Sequence, residues 1–279
     1  MDRVRRLRNA FTLHELLMSL AIMGVVVGLS VNAARRQLRF YGTVSETAAV
    51  RGQLGHAVGI AASLLWGVSA SGGDIVAAYD SSLELRLPIG SAVVCEGVPG
   101  RVTIPAPTDS LGNVLAAFVE SPQPDDEAVA LLDDSVGTTW LRMRVAASPE
   151  RGGNCPLFPT VSATWIISVR EQIPLATGSL VRFARPFRLS LYRGSDGLSY
   201  LGAHDWNGGA QRFNGIQPVA GPLKPYSPDP SQTGLHFEYR DAYGVPLPLP
   251  IESTRIASVR IVARGYADSA VAAVGLRNE

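Results

Sequence analysis

The chain has 279 residues, with 25 Lys and Arg against 24 Asp and Glu and a formal net charge of +1. That balance excludes nucleic-acid capture by bulk charge. With 46% hydrophobic and 18% charged residues, the composition is that of a globular protein, long enough for one full core with an appendage or for two small domains.

The chain opens on "MDRVRRLRNA", residues 1–10, a basic leader with Arg3, Arg5, Arg6 and Arg8 against Asp2. The apolar run "FTLHELLMSLAIMGVVVGLSVNAA" follows over 11–34 and is closed by "RRQLRF". As a helix this run spans roughly 36 Å, enough to cross a bilayer. Arginines flank both ends, so the positive-inside rule favours a cytoplasmic N-terminus only slightly. A competing expectation takes "SVNA" as a small-residue cleavage site near Ala33, which would discard the apolar run as a signal peptide.

Beyond the apolar run, Phe40, Val44, Ala48, Leu54, Val58, Ala61 and Leu65 recur mostly at spacings of three or four. They predict an amphipathic continuation of the helix over 35–66. Gly42, Gly52, Gly55 and Gly59 interrupt it, which suits close helix packing or a helix that bends or partly melts. "WGVSASGGD" stops it.

After Gly73 the period shortens, and strands are predicted over 74–79, 83–87, 91–98, 101–105, 138–147, 161–170, 179–193, 198–206, 234–241 and 255–265. Asp196-Gly197 predicts a hairpin, and a second turn is expected near Gly244. Pro186 is expected to split its run or to place it at a sheet edge. Pro-rich connectors are expected at 120–127, 148–159 and 217–234, and a flexible tail over 267–279. The predicted class is α+β: a long N-terminal helix, its first half transmembrane and its second half amphipathic, and a β-rich head over 67–266. Cys95 and Cys155 are the two cysteines, and an even pair in an exported chain suggests a disulfide. Neither has a second Cys or a His at metal-ligand spacing.

The segment from Ala10 to Leu29 resembles the class III signal of type IV pilins and type II secretion pseudopilins. The resemblance places cleavage between Ala10 and Phe11, methylation on the new amine of Phe11, and a filament-assembly role on Glu15, the fifth mature residue. Thr12, Leu13 and Gly24 also fit. In an assembled filament Glu15 would neutralise the terminal ammonium of a neighbouring subunit. Three positions depart from the pattern: Ala10 where Gly is usual, His14 where an apolar residue is usual, and Asn32 where major pilins often carry Pro. The last leans toward a minor pilin or pseudopilin. In the C-terminal half, "RPFRLSLYRGSDGLSYLGAHDW", "GLHFEYRDAYGVPLP" and "RIASVRIVAR" look like the larger minor subunits of the PilW and pseudopilin J type, which sit at or near a filament tip. The partners implied are other pilin-like subunits, a prepilin peptidase and an inner-membrane assembly platform. The implied location is the inner membrane as a single pass, with the N-terminus cytoplasmic and the head periplasmic. Losing residues 1–10 removes four Arg and one Asp and leaves a mildly acidic mature chain, so nucleic acid is not indicated.

A catalytic constellation is not expected. His14, His56, His204 and His236 are scattered. His204 and Asp205 adjoin, but neighbouring residues of a strand point to opposite faces. Asp125, Asp126, Glu127, Asp133 and Asp134 offer carboxylates for calcium without the spacing of a defined calcium loop. Trp140, Trp165 and Trp206 are expected to pack in the head. The expectation is therefore a non-enzymatic subunit without metal or cofactor, with a filament-borne adhesin or ligand-binding head as the alternative.

Overall fold

In the computed structural model the described residues are 13–108, 112, 114–134, 137–157 and 163–277. The leader, Ala10, Phe11 and the predicted cut between them lie outside these. The architecture is α+β, one long helix followed by antiparallel sheets. The helix, α1, runs from Leu13 to Leu65, 53 residues without a break. It passes through Gly24, Gly28, Gly42, Gly52, Gly55 and Gly59, and nothing lies within 4 Å of where a Cβ would stand on any of them. The helix therefore does not melt at its glycines, and they serve no close packing within the described chain. The hydroxyls of Ser19, Ser30, Thr43, Thr47 and Ser63 donate back to carbonyls one turn earlier, which satisfies polar groups inside the helix itself.

The chain divides into two compact units, residues 1–50 and 51–279. In the first, α1 has a stretch long and apolar enough to cross a membrane, and none of it is buried. Of the expected stripe, Phe40, Val44 and Ala48 stay exposed. The second unit opens with the last turns of α1, where Leu54, Ala57, Val58, Ala61 and Leu65 form one buried face.

Among the described residues sixteen strands follow: β1 (Ile75–Ala78), β2 (Ser82–Val93), β3 (Glu96–Val98), β4 (Arg101–Pro105), β5 (Ala117–Phe118), β6 (Glu127–Asp134), β7 (Gly137–Arg144), β8 (Glu150–Gly152), β9 (Thr164–Ser168), β10 (Leu180–Arg193), β11 (Ser199–Asn207), β12 (Arg212–Phe213), β13 (Gln217–Leu223), β14 (Leu235–Arg240), β15 (Ser258–Arg264) and β16 (Ser269–Gly275). The largest sheet has nine strands along the path β1-β2-β10-β11-β12, with β5 on β2, β13 on β11, and β6 joining β10 to β7. A four-stranded sheet, β3-β4-β9-β8, faces it across a core that includes Val94, Ile104, Met143, Ile167 and Phe183. Phe118 and Trp165 close its rim with their rings 5.2 Å apart. A third sheet, β14-β15-β16, carries its own buried row of Phe237, Tyr239, Val259 and Ile261. Tyr239 donates its hydroxyl to the Tyr79 carbonyl at 2.7 Å and so ties β14 to the end of β1.

Asp196-Gly197 forms the expected β10–β11 hairpin, with Gly197 at φ 81°, and Gly244 turns at φ 78°. Pro186 departs from expectation, because β10 is neither split nor at an edge. On one side β10 pairs with β2 along its length; on the other it pairs with β6 over 181–184 and with β11 from 187 onward. Leu191 donates its N–H toward the β2 side, to Ser81. N–H directions alternate along a strand, so the donor missing at Pro186 faces the gap between β6 and β11. The proline sits where β10 changes partner and no ladder bond is lost.

Two connectors and the tail are also corrected. The connector expected over 148–159 contains β8, whereas that over 120–127 is irregular until β6 begins at its last residue, and β6, with Ala128, Val129 and Ala130 buried, is a strand the sequence did not predict. The Pro-rich stretch from 217 contains β13. The segment expected as a flexible tail over 267–279 contains β16, paired with β15 at seven positions from Ser258↔Gly275 to Arg264↔Ser269.

Candidate functional site

Glu15 stands in the first turn of α1, at the head of the exposed apolar stretch. Helix geometry puts Leu16, Met23 and Val27 among its large exposed side chains, each more than half accessible. A surface of this kind is stable only when lipid or other apolar helices cover it, because each such side chain gains about 1.5–3 kcal/mol on leaving water. His14, the unusual neighbour of Glu15, is likewise exposed.

The other residues singled out by sequence fall in the head. Cys95 and Cys155 are bonded, with Cα atoms 5.3 Å apart and both residues 1% exposed. The bond clips the turn after β2 to the loop after β8, beside Leu115. His204 lies on β11 with Nε2 3.5 Å from Ser190 Oγ and Nδ1 3.3 Å from the Asn214 carbonyl, the surroundings of a structural histidine. Trp140 lies under the Arg182 guanidinium, and Trp206 meets Phe213 edge to face at 5.2 Å. Among the described residues no group of three or more His, Cys, Asp or Glu side chains is placed to hold a metal ion.

The acidic segment has a different use from the calcium ligation considered for it. Asp126 is 1% exposed and takes a two-pronged bond from Arg185, whose Nε and Nη2 are each 2.8 Å from its oxygens. Glu120 shares that arginine, and the pairing pushes the Arg185 pKa up. Asp125 pairs with Arg170 and accepts from Gln211 Nε2 at 3.3 Å. Glu127 holds Arg86 at 2.6 Å and Arg142 at 3.1 Å. All three carboxylates are therefore occupied by guanidinium groups. Asp133 and Asp134 belong to β6 by their backbone.

Arg86, Arg142 and Arg182 also converge on the turn that follows α1. Arg86 and Arg142 donate to the carbonyls of Gly73 and Gly72, and Arg182 pairs at 2.8 Å with the fully buried Asp74. Burial is the largest influence on Asp74 and raises its pKa against the pull of these arginines. The ring of charge holds the helix exit against the sheet.

Where β6 and β11 part beside Pro186, the nine-stranded sheet opens into a cleft of about 210 Å³. Asp125, Glu127, Arg86 and Arg144 contribute charge to its lining, and Trp206 and Phe213 form its aromatic wall. Asp125 (φ 71°) and Gln211 (φ 49°) are the two non-glycine residues with positive φ among those described, and they bond to each other at the rim. Gly208 backs against the Pro124 carbonyl, which would lie 2.0 Å from a Cβ, so only glycine lets the β11–β12 turn come this close. Sequence reading missed the cleft because its lining comes from separate strands, and no local motif joins them.

No family model, curated protein or solved structure matches the chain.

Proposed function

We propose that this chain is a structural, non-enzymatic filament subunit of the minor pilin or pseudopilin kind, anchored in the inner membrane by α1 and carrying its β-rich head outside the cytoplasm. The observation that carries the reading is the exposed apolar stretch of α1 with a carboxylate in its first turn. The helix dipole offsets about 0.3–1 kcal/mol for a carboxylate at that end. A charged side chain costs about 2.5–3.5 kcal/mol on insertion scales at the centre of a spanning helix and less towards its end, where Glu15 stands. A cation close to it when the helix is inserted would stabilise it further. The terminal amine of a neighbouring pilin-like subunit supplies one, and pairing then drives entry beside another apolar helix. Prepilin peptidase and an assembly platform are the implied partners, and the filament tip is the implied position.

The mass of the mature N-terminus tests this reading first. A chain from membranes that begins at Phe11 and carries one extra methyl group supports it; one that begins at Ala34 discards the helix and ends it. Glu15→Ala should then block incorporation while the head stays folded, and normal filament entry of that variant refutes the pairing. The cleft at the sheet fork favours a second reading, in which the head also binds a ligand.

A further inference from the structure

The cleft beside Pro186 has an uneven account of charge. Glu127 is held by Arg86 and Arg142, Glu84 by Arg188 at 2.5 Å, and Asp125 by Arg170 and Gln211. A cationic ligand would have to displace an arginine already in place. Arg144 differs, since its backbone N–H donates to Glu171 Oε2 at 2.7 Å but its guanidinium has no ion-pair or hydrogen-bond partner among the described residues. Arg144 also lines a second cavity of about 210 Å³ together with Arg86, Glu127 and Glu171, so it stands between two open spaces.

The wall opposite this charge is apolar and fixed. Trp206 and Phe213 lock edge to face, and the Arg188 guanidinium lies 4.3 Å from the Phe213 ring centroid. The indole Nε1 of Trp206 is closed to solvent and has no acceptor among the described residues, so it serves here as a reporter of the wall and not as a contact for a ligand. The unspent chemistry of the cleft is thus a guanidinium at the rim and an aromatic wall beside it. Together they suit a carboxylate on a flat apolar body.

We propose that the cleft at the β6–β11 fork binds a carboxylate carried on an aromatic or similar ring, with the carboxylate on Arg144 and the ring against Trp206 and Phe213. The carboxylate comes from a free small acid or from the end of a peptide chain. The inference does not depend on the filament reading, because every residue it uses lies in the head.

The experiment uses the full chain in detergent micelles with its indole groups labelled with ¹⁵N, the Trp206 resonance being assigned by its loss in Trp206→Phe. Benzoate should shift that resonance saturably, and benzamide, of the same shape without charge, should not. Arg144→Gln should weaken benzoate by about tenfold or more, the worth of one charge-assisted contact, with an unchanged melting curve to show that the head is intact. Arg144→Lys should recover part of the loss. Hippurate, whose carboxylate follows a peptide bond, separates the sources: tighter binding than benzoate assigns the site to a chain terminus, and equal or weaker binding to a free acid. No saturable shift, an equal shift with benzamide, or unchanged affinity in Arg144→Gln overturns the proposal. Failure of Glu15→Ala to block assembly leaves it standing.

Discussion

His236 on β14 is half-buried with its Nδ1 enclosed and unbonded. Burial, aided by Arg264 and Arg260 of β15, lowers its pKa below the usual histidine value, while Asp80 and Glu238 pull the other way. A histidine depressed in the folded state takes its proton more readily when unfolded. Stability is therefore lost as pH falls below about 6.5, until the folded-state pKa is passed. Unfolding in urea at pH 7.5 and 5.5 should show a drop for the natural chain, and His236→Leu should reduce it. An equal drop in both would remove His236 as its source. Single residues also mark the limits of what the chain's letters disclose. The Cys95–Cys155 bond was legible because the two cysteines are an even pair with no further Cys or His at metal-ligand spacing. Asp125, Asp126 and Glu127 looked like solvated or calcium-binding carboxylates, because the arginines that claim them stand at 86, 142, 170 and 185, far away in sequence. Pro186 gave a wrong edge signal for a physical reason: a strand can change its neighbour in mid-course, and a missing N–H costs nothing at the seam.

At the scale of elements, α1 was legible from hydrophobic period and length, and its glycines were the misleading part. Gly55 and Gly59 lie in the helix on the exposed side, with open space where a Cβ would go. Alanine at either position should stabilise the helix by up to about 1 kcal/mol, read as a rise of about 2–4 °C in Tm. A fall in Tm would mean that the helix needs those glycines within the folded head. Among the strands, those with alternating or β-branched runs were visible, and the hairpin at Gly197 was legible from its dipeptide. β6 was hidden because both its faces are covered, which replaces alternation by the plain apolar run Ala128–Leu132 between carboxylates. β13 was hidden by Pro218 and Pro222, and β16 by a run of small residues with little strand signature.

At the scale of the molecule, the one covalent tie is Cys95–Cys155, closing a separation of 60 residues. In the chain-entropy view a loop of that size contributes about 4 kcal/mol by restricting the unfolded chain. Cys95→Ser with Cys155→Ser should therefore lower the Tm of the head by about 10 °C, measured by circular dichroism; a change within a degree or two would show that the buried pair acts only as filler. The class, α+β with a single helix first, followed from a change in period near Gly73, whereas the division of the strands into three sheets needed pairings between distant segments. One pairing joins the two ends of the head. Arg277 bridges Ser69 in parallel, and its N–H donates to the Val68 carbonyl at 3.1 Å, just past the last turn of α1. Between these two points the polypeptide leaves and returns to one spot, just past the end of α1. Cargo fused after Arg277 would therefore emerge beside the last turn of α1, and any transplant of the head must carry the buried turns from Leu54 to Leu65 with it.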